Sequence, residues 1–211
     1  MLEIFRRLSR EYFLRLEAEV LSAGTTLLDV GCGGSSPIRF FSHKLHYAVG
    51  VDAFLPAIEQ SRAHKIHHEY RQMDVLALET AFPPQSFDVV VALDVIEHFE
   101  KADGYQLIAS MERIARRKVI IFTPNGFQPQ GDFDDNPYQL HRSGWTVKDM
   151  RALGYSVSGM SGYKPLRGAH SEVKWKPKLF WHRVSVLTQP LVRHIPHLAY
   201  QLFCVKTFSD A

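Results

Sequence analysis

The 211-residue sequence predicts a doubly wound α/β domain: a mainly parallel sheet with helices on both faces. Three observations predict it. The runs Leu27-Leu28-Asp29-Val30, Ala48-Val49-Gly50-Val51 and Val89-Val90-Val91-Ala92 are nearly apolar throughout rather than alternating, the mark of strands buried on both faces. Helix-period segments separate these runs, as crossovers between parallel strands require. The composition, 45% hydrophobic and 22% charged, is that of a globular chain with ample material for a core.

Each element has its own warrant. Residues 2–22 place Leu2, Phe5, Leu8, Phe13, Leu16 and Val20 at helical spacing, with Gly24 as the stop. Thr26–Val30 reads as a buried strand running into the turn Gly31-Cys32-Gly33-Gly34. Tyr47–Asp52 is a second strand, residues 54–63 a helix and residues 70–75 a third strand. Residues 87–92 are the clearest strand, followed by a helix at 104–115 and a strand at 118–122. A short helix at 145–153 leads to a strand near 155–160. Then the rhythm breaks. Residues 164–197 hold Pro165, Pro177, Pro190 and Pro196 around a helical segment at 178–191, and residues 199–208 read as a final strand. The chain is expected to be one domain: a helix (1–24), a core (25–163), a basic helical insertion (164–198), and a last strand with its tail (199–211).

Charge is uneven. The net charge is +3, but residues 164–211 carry eight Lys or Arg against Glu172 and Asp210, a net of +6, so the body is mildly acidic. Cys32 and Cys204 form no CxxC, which excludes a disulfide framework or a cysteine-rich zinc module. No GxxxxGK[ST] is present, and Ser35-Ser36 lacks the GxSxG elbow. Glu3, Arg6 and Arg7 interrupt the first apolar run, so no signal peptide is expected, and a reducing, cytoplasmic compartment is. The insertion is too charged and too broken by proline to span a membrane.

In such sheets ligands bind beyond the carboxyl ends of the strands. Asp29, Gly31 and Gly33 close the first strand, Asp52 ends the second and Asp74 the third. A carboxylate at the second position can accept from both hydroxyls of a ribose, and one at the third from an adenine amine. A single Asp in such a place is usually a helix cap, but three at successive strand ends point to a ligand. The glycine spacing is not the dinucleotide GxGxxG.

LLDVGCGG, VGVD, MDVLAL, FDVVVALDVIEH and VIIFTPNG, in that order over about residues 25–160, resemble the class I S-adenosylmethionine-dependent methyltransferases. The resemblance implies a Rossmann-like seven-stranded sheet whose last strand is antiparallel. It implies that Asp29, Gly31 and Gly33 hold the methionine moiety of S-adenosylmethionine, Asp52 the ribose, and Asp74 with the Val75 amide the adenine. Alignment of donor and acceptor can supply ~7–11 kcal/mol of the barrier to such a transfer.

Past the fourth strand, Asp94, Glu97 and His98 fall within one helical turn, and His141 precedes a later helix. Two carboxylates and two imidazoles near one pocket suit Mg²⁺ or Mn²⁺; His98, His141 and Glu97 equally suit metal-free base catalysis, or a structural role. The pattern resembles the acid-x-x-Glu-His and downstream His that bind metal in small-RNA 2′-O-methyltransferases. It also resembles the Glu-x-x-Glu-His of ubiquinone-pathway O-methyltransferases, with Asp94 one methylene shorter than the Glu found there. The expected activity is therefore O-methylation of a small-molecule, glycan or lipid-linked acceptor. An RNA ribose 2′-O-methyltransferase and a non-catalytic cofactor-binding module are the alternatives, and the acidic body argues against nucleic acid. Trp175 and Trp181, among Lys174, Lys176, Lys178 and Arg183, suit a helix on the inner face of an anionic membrane or a lid over the acceptor pocket; a helix packed on the sheet edge is the plainer reading.

Overall fold

The computed structural model describes residues 10–130, 136–168 and 171–208. Its sheet has seven strands: β1 (Thr26–Val30), β2 (Tyr47–Asp52), β3 (Glu69–Gln72), β4 (Phe87–Leu93), β5 (Ala115–Pro124), β6 (Ser156–Tyr163) and β7 (Ala199–Thr207). They are ordered β3-β2-β1-β4-β5-β7-β6. The pairs among β1 to β5 are parallel, while β7 runs antiparallel to both neighbours, with Ile121 opposite Cys204 and Val157 opposite Cys204 from the other side. The expected Rossmann-like sheet with an antiparallel last strand is the sheet observed.

Period-2 alternation explains why the strands are apolar throughout. Leu28, Val30, Val90 and Ile121 face one buried layer, with Leu107, Ile108 and Met111 of α4 (Lys101–Ile114) and the indole of Trp145. Leu27, Val89, Val91 and Ile120 face the other, with Leu16 and Val20 of α1 (Glu11–Leu21) and with Phe203. Burying Leu107 alone contributes about 1.5–3 kcal/mol, so the α4 stripe is a principal anchor of the fold.

The remaining helices are α2 (Leu55–Ala63), the single turn α3 (Leu78–Ala81), α5 (Val147–Ala152), α6 (Lys178–Leu187) and α7 (Gln189–His194). The segment expected as one helix at 178–191 is two. Pro190 sits in the first turn of α7, where its missing N–H costs nothing, and the chain bends at Thr188. Residues 2–9 of the expected first helix lie outside the described residues.

The insertion is bolted to β6, which would otherwise be an open sheet edge. Gln189 donates from Nε2 to the Gly159 carbonyl at 3.0 Å and accepts at Oε1 from the Gly162 amide at 3.1 Å. A Cβ on Gly159 would lie 2.1 Å from the Val192 carbonyl oxygen, so only glycine permits this approach. No helix among the described residues is long and apolar enough to cross a membrane.

Candidate functional site

The carboxyl ends of β1 to β4 open into a cavity of about 370 Å³ whose lining includes Gly31, Asp52, Asp74, Val75, Asp94 and His98. Sharp turns at the end of β1 require glycine: Gly31 has φ +65°, and a Cβ there would lie 2.7 Å from Val95 Cγ2. The Asp52 carboxylate accepts from the Gly33 amide and the Phe54 amide, each at 2.9 Å. Those bonds fix the carboxylate at the cavity wall and join the two strand ends. Burial raises its pKa against these two bonds. Asp74 lines the same wall while its Oδ1 caps the Leu76 amide at 2.9 Å.

Asp29, expected beside the methionine moiety, is held from within the protein. It is 1% exposed and does not line the cavity. Its Oδ2 accepts from Ser36 Oγ at 2.6 Å and meets His67 Nε2 at 2.9 Å. Its carboxylate therefore braces the glycine turn from behind. His67 was not expected, because its partner lies 38 residues away and only β-sheet pairing brings them together.

Beyond the cavity lies a second cleft of about 260 Å³, sharing Asp94, His98 and Gln139 with the first. Glu97, His98 and His141 each aim a ligating atom here, all within 4.8 Å of one another. The 96–98 turn and the 140–145 segment are tied by backbone: the Arg142 and Ser143 amides donate to the Glu97 carbonyl, and Trp145 Nε1 donates to the Ile96 carbonyl at 3.2 Å. His141 Nδ1 donates to the Gln128 carbonyl at 2.7 Å and His98 Nδ1 to the Leu140 carbonyl at 3.4 Å. A carbonyl only accepts, so these bonds place the Nδ1 proton and fix the orientation of both rings. Burial and the neighbouring His141 lower the His98 pKa to about 4, so the ring is neutral at ordinary pH.

Glu97 is 2% exposed; Thr123 Oγ1 donates to its Oε2 at 2.9 Å, but its Oε1 meets no donor. Asp94 faces the cleft in a left-handed backbone conformation (φ +56°) and accepts from Gln201 Nε2 at 3.0 Å. It is open to the cleft, and desolvation by the surrounding protein pushes the carboxyls of both Asp94 and Glu97 up. The expected ligand set also includes Asp94, which lines both cavities, while the atoms gathered within 4.8 Å of one another are those of Glu97, His98 and His141. Thr123 and Gln201 were not expected; Thr123 lies in the VIIFTPNG run and was legible there only as strand.

A crossover sheet with carboxylates at successive strand ends defines a nucleoside-binding α/β domain with a polar cleft beside it. Residues 28–123 match the family described as "Methyltransferase domain". The chain is 32% identical over 172 residues to the ubiquinone biosynthesis O-methyltransferase of Pseudomonas fluorescens, spanning 67% of this chain and 73% of that protein. It is also 32% identical over 118 residues to the 27-O-demethylrifamycin SV methyltransferase of Amycolatopsis mediterranei, spanning 54% and 40% of the two chains. The methyltransferase domain of bacterial CtHen1 has the same fold, with a TM-score of 0.59 at 18% identity, covering 95% of this chain and all of that one. The chain belongs to the class I S-adenosylmethionine-dependent methyltransferases. It is an enzyme of that class, and the non-catalytic reading is not favoured.

Proposed function

We propose that the chain O-methylates a small-molecule hydroxyl acceptor in the cleft where Glu97, His98 and His141 converge. One observation carries the reading: His98 lines both the cofactor cavity and the second cleft, and His141 stands beside it in that cleft, the ring centroids 4.9 Å apart. S-adenosylmethionine, when bound, supplies an electrophilic methyl group on a sulfonium. Asp52 is suited to the ribose hydroxyls, Asp74 and the Val75 amide to the adenine, and the close backbone of Gly31 and Gly33 to the methionine moiety. On the acceptor side, one imidazole of the His98–His141 pair receives the hydroxyl proton and the other orients the acceptor, a contribution of about 10²–10⁴ in rate.

The donor set also fits a divalent cation. Glu97 Oε1 is a buried carboxylate oxygen without a donor, aimed with two imidazole nitrogens at one point. Mg²⁺ or Mn²⁺ held there by Glu97, His98 and His141 would act as a Lewis acid on the acceptor oxygen. Chelation decides between the versions: activity lost with EDTA and restored by Mn²⁺ supports the metal, and chelator-insensitive turnover leaves the imidazoles as bases. In either case His98→Ala and His141→Ala should lower kcat by about 10²-fold or more, with S-adenosylhomocysteine affinity unchanged. Variants with wild-type turnover would overturn the acceptor assignment.

Residues of the insertion support a peripheral membrane contact. Leu179, Phe180, Leu187, Leu191 and Ile195 are exposed on α6 and α7, beside Lys174, Lys178, Arg183 and Arg193. Apolar side chains ringed by cations suit the headgroup region of an anionic leaflet at the inner face of a membrane. Co-sedimentation with phosphatidylglycerol vesicles that fades with salt is the expected result; no binding at low salt would leave the insertion as a wall of the site. That wall is real in either case: Arg167, His182, Val186 and Gln189 line a chamber of about 350 Å³ that reaches Asp94 and Gln201.

A further inference from the structure

Beside the acceptor cleft is a cavity of about 380 Å³ lined by Lys164, Arg167, Lys174, His197, Tyr163 and Gln128 among others, with no acid among the described residues of its wall. We propose that it binds a phosphate-type dianion, the phosphate ester or diphosphate of the methyl acceptor. The proposal rests on the reading of the neighbouring cleft as the acceptor site and deepens it by naming the acceptor's class.

The cations are gathered by local structure. Residues 164–166 form a 3₁₀ turn, and the chain then folds back on itself, with Arg167 bridged to Val173 and the Lys174 amide donating to the Leu166 carbonyl. This brings Arg167 and Lys174, seven positions apart, to one wall. Neutral acceptors hold two of them. Lys164 Nζ donates to the Asn125 carbonyl; Arg167 donates from Nε to Ser185 Oγ at 2.9 Å and from Nη1 to the Ser171 carbonyl at 2.7 Å. Glu172, the nearest acid in sequence, pairs with Lys178 at 2.7 Å. Two half-buried cations are thus fixed in place by neutral groups among the described residues, and burial lowers the pKa of both, with Lys174 adding to the effect on Lys164. Fixed, uncompensated positive charge in a concave site is the arrangement that receives an anion.

Charge selects the kind of anion. Three cations and an imidazole exceed what one carboxylate needs, whereas a phosphate ester carries about −1.5 to −2 and offers three acceptor oxygens. Location ties the anion to methyl transfer. Gln128 lines both this cavity and the acceptor cleft, and its carbonyl orients His141. Arg167 also lines the chamber that reaches Asp94. An acceptor with its phosphate against Lys164, Arg167 and Lys174 can therefore present a hydroxyl to His98 and His141 across one wall.

The same chemistry is found on a lipid headgroup, and the test separates the two. Calorimetry with inorganic pyrophosphate should show binding to the wild-type protein, weakened tenfold or more in Lys164→Gln/Lys174→Gln. Because Lys174 is exposed, the single variant Lys174→Glu keeps the test valid if the double variant folds poorly, and it should weaken binding in the same direction. S-adenosylhomocysteine affinity, measured in parallel, should not move. No pyrophosphate binding, or equal binding to wild type and variants, overturns the site. Pyrophosphate that leaves phosphatidylglycerol vesicle binding intact supports the acceptor phosphate; pyrophosphate that displaces the vesicles overturns that assignment in favour of a headgroup. None of these readouts depends on turnover, so loss of the methyl-transfer reading would show separately in the histidine variants.

Discussion

The two sides of the cleft are built to opposite rules. On the cofactor side each strand-end carboxylate is already partnered: Asp29 by Ser36 and His67, Asp52 by two amides, Asp74 by the Leu76 amide. On the acceptor side groups are left wanting. Glu97 Oε1 has no donor, Asp94 sits in a left-handed backbone, and the cations around Arg167 face no carboxylate among the described residues. The first arrangement holds a fixed shape for a ligand that is the same at every turnover. The second stores unfavourable electrostatics that an incoming proton, cation or anionic acceptor relieves, as strained and unpaired groups at reaction sites commonly do. The comparison predicts that substitutions on the cofactor side act on affinity and stability, and those on the acceptor side on turnover and pH response.

The largest expected effect on the cofactor side is at Asp52. Removing a carboxylate that is suited to ribose hydroxyls and also ties Gly33 to Phe54 should weaken S-adenosylhomocysteine binding by about 1.5–3 kcal/mol. Calorimetry on Asp52→Ala measures it directly. Wild-type affinity in that variant would break the division, because the best-partnered acid in the cavity would then have no ligand.

His67→Phe comes next. It keeps the volume of a buried ring but leaves the Asp29 carboxylate with Ser36 as its remaining partner in that pair of bonds. The expected cost is about 1–3 kcal/mol of stability, read by chemical denaturation, with a smaller loss of cofactor affinity as the glycine turn loosens. A variant as stable as wild type would mean that Asp29 is braced by Ser36 alone.

What the sequence made legible follows the same division. β1, β2 and β4 stand out as short apolar runs, and the carboxylates that end them can be counted along the chain. The third strand was expected at 70–75 and is Glu69–Gln72, because β3 is a half-exposed edge strand with no apolar run to mark its limits. Glu97, His98 and His141 were found as residue types, yet the Gln201 amide that Asp94 accepts from lies 107 residues away on the antiparallel β7. Arg167 drew no attention for the same reason: a basic insertion reads as a solvated face until the fold-back from Leu166 to Lys174 makes it a cavity wall. Pairing over such distances is set by topology, which local patterns do not encode.

The smallest effect concerns pH. Burial raises the carboxyls of Asp94 and Glu97 in the folded state above their ordinary range, and the Asp94 charge raises Glu97 further. Between the ordinary carboxyl range and those raised values the folded protein binds more protons than the unfolded chain. The pair's contribution to stability is therefore fully present below the unfolded pKa and is lost as pH rises through the folded values. Asp94→Asn removes one of the two charges. Denaturation curves at about pH 5 and about pH 8 should show wild type losing more stability than the variant over that interval. Mn²⁺, if it occupies the three-ligand group, should flatten the wild-type profile by replacing the proton the pair holds. Parallel profiles for wild type and Asp94→Asn would show that the acceptor side is as fully compensated as the cofactor side, and the contrast between the two would fail at its most exposed carboxylate.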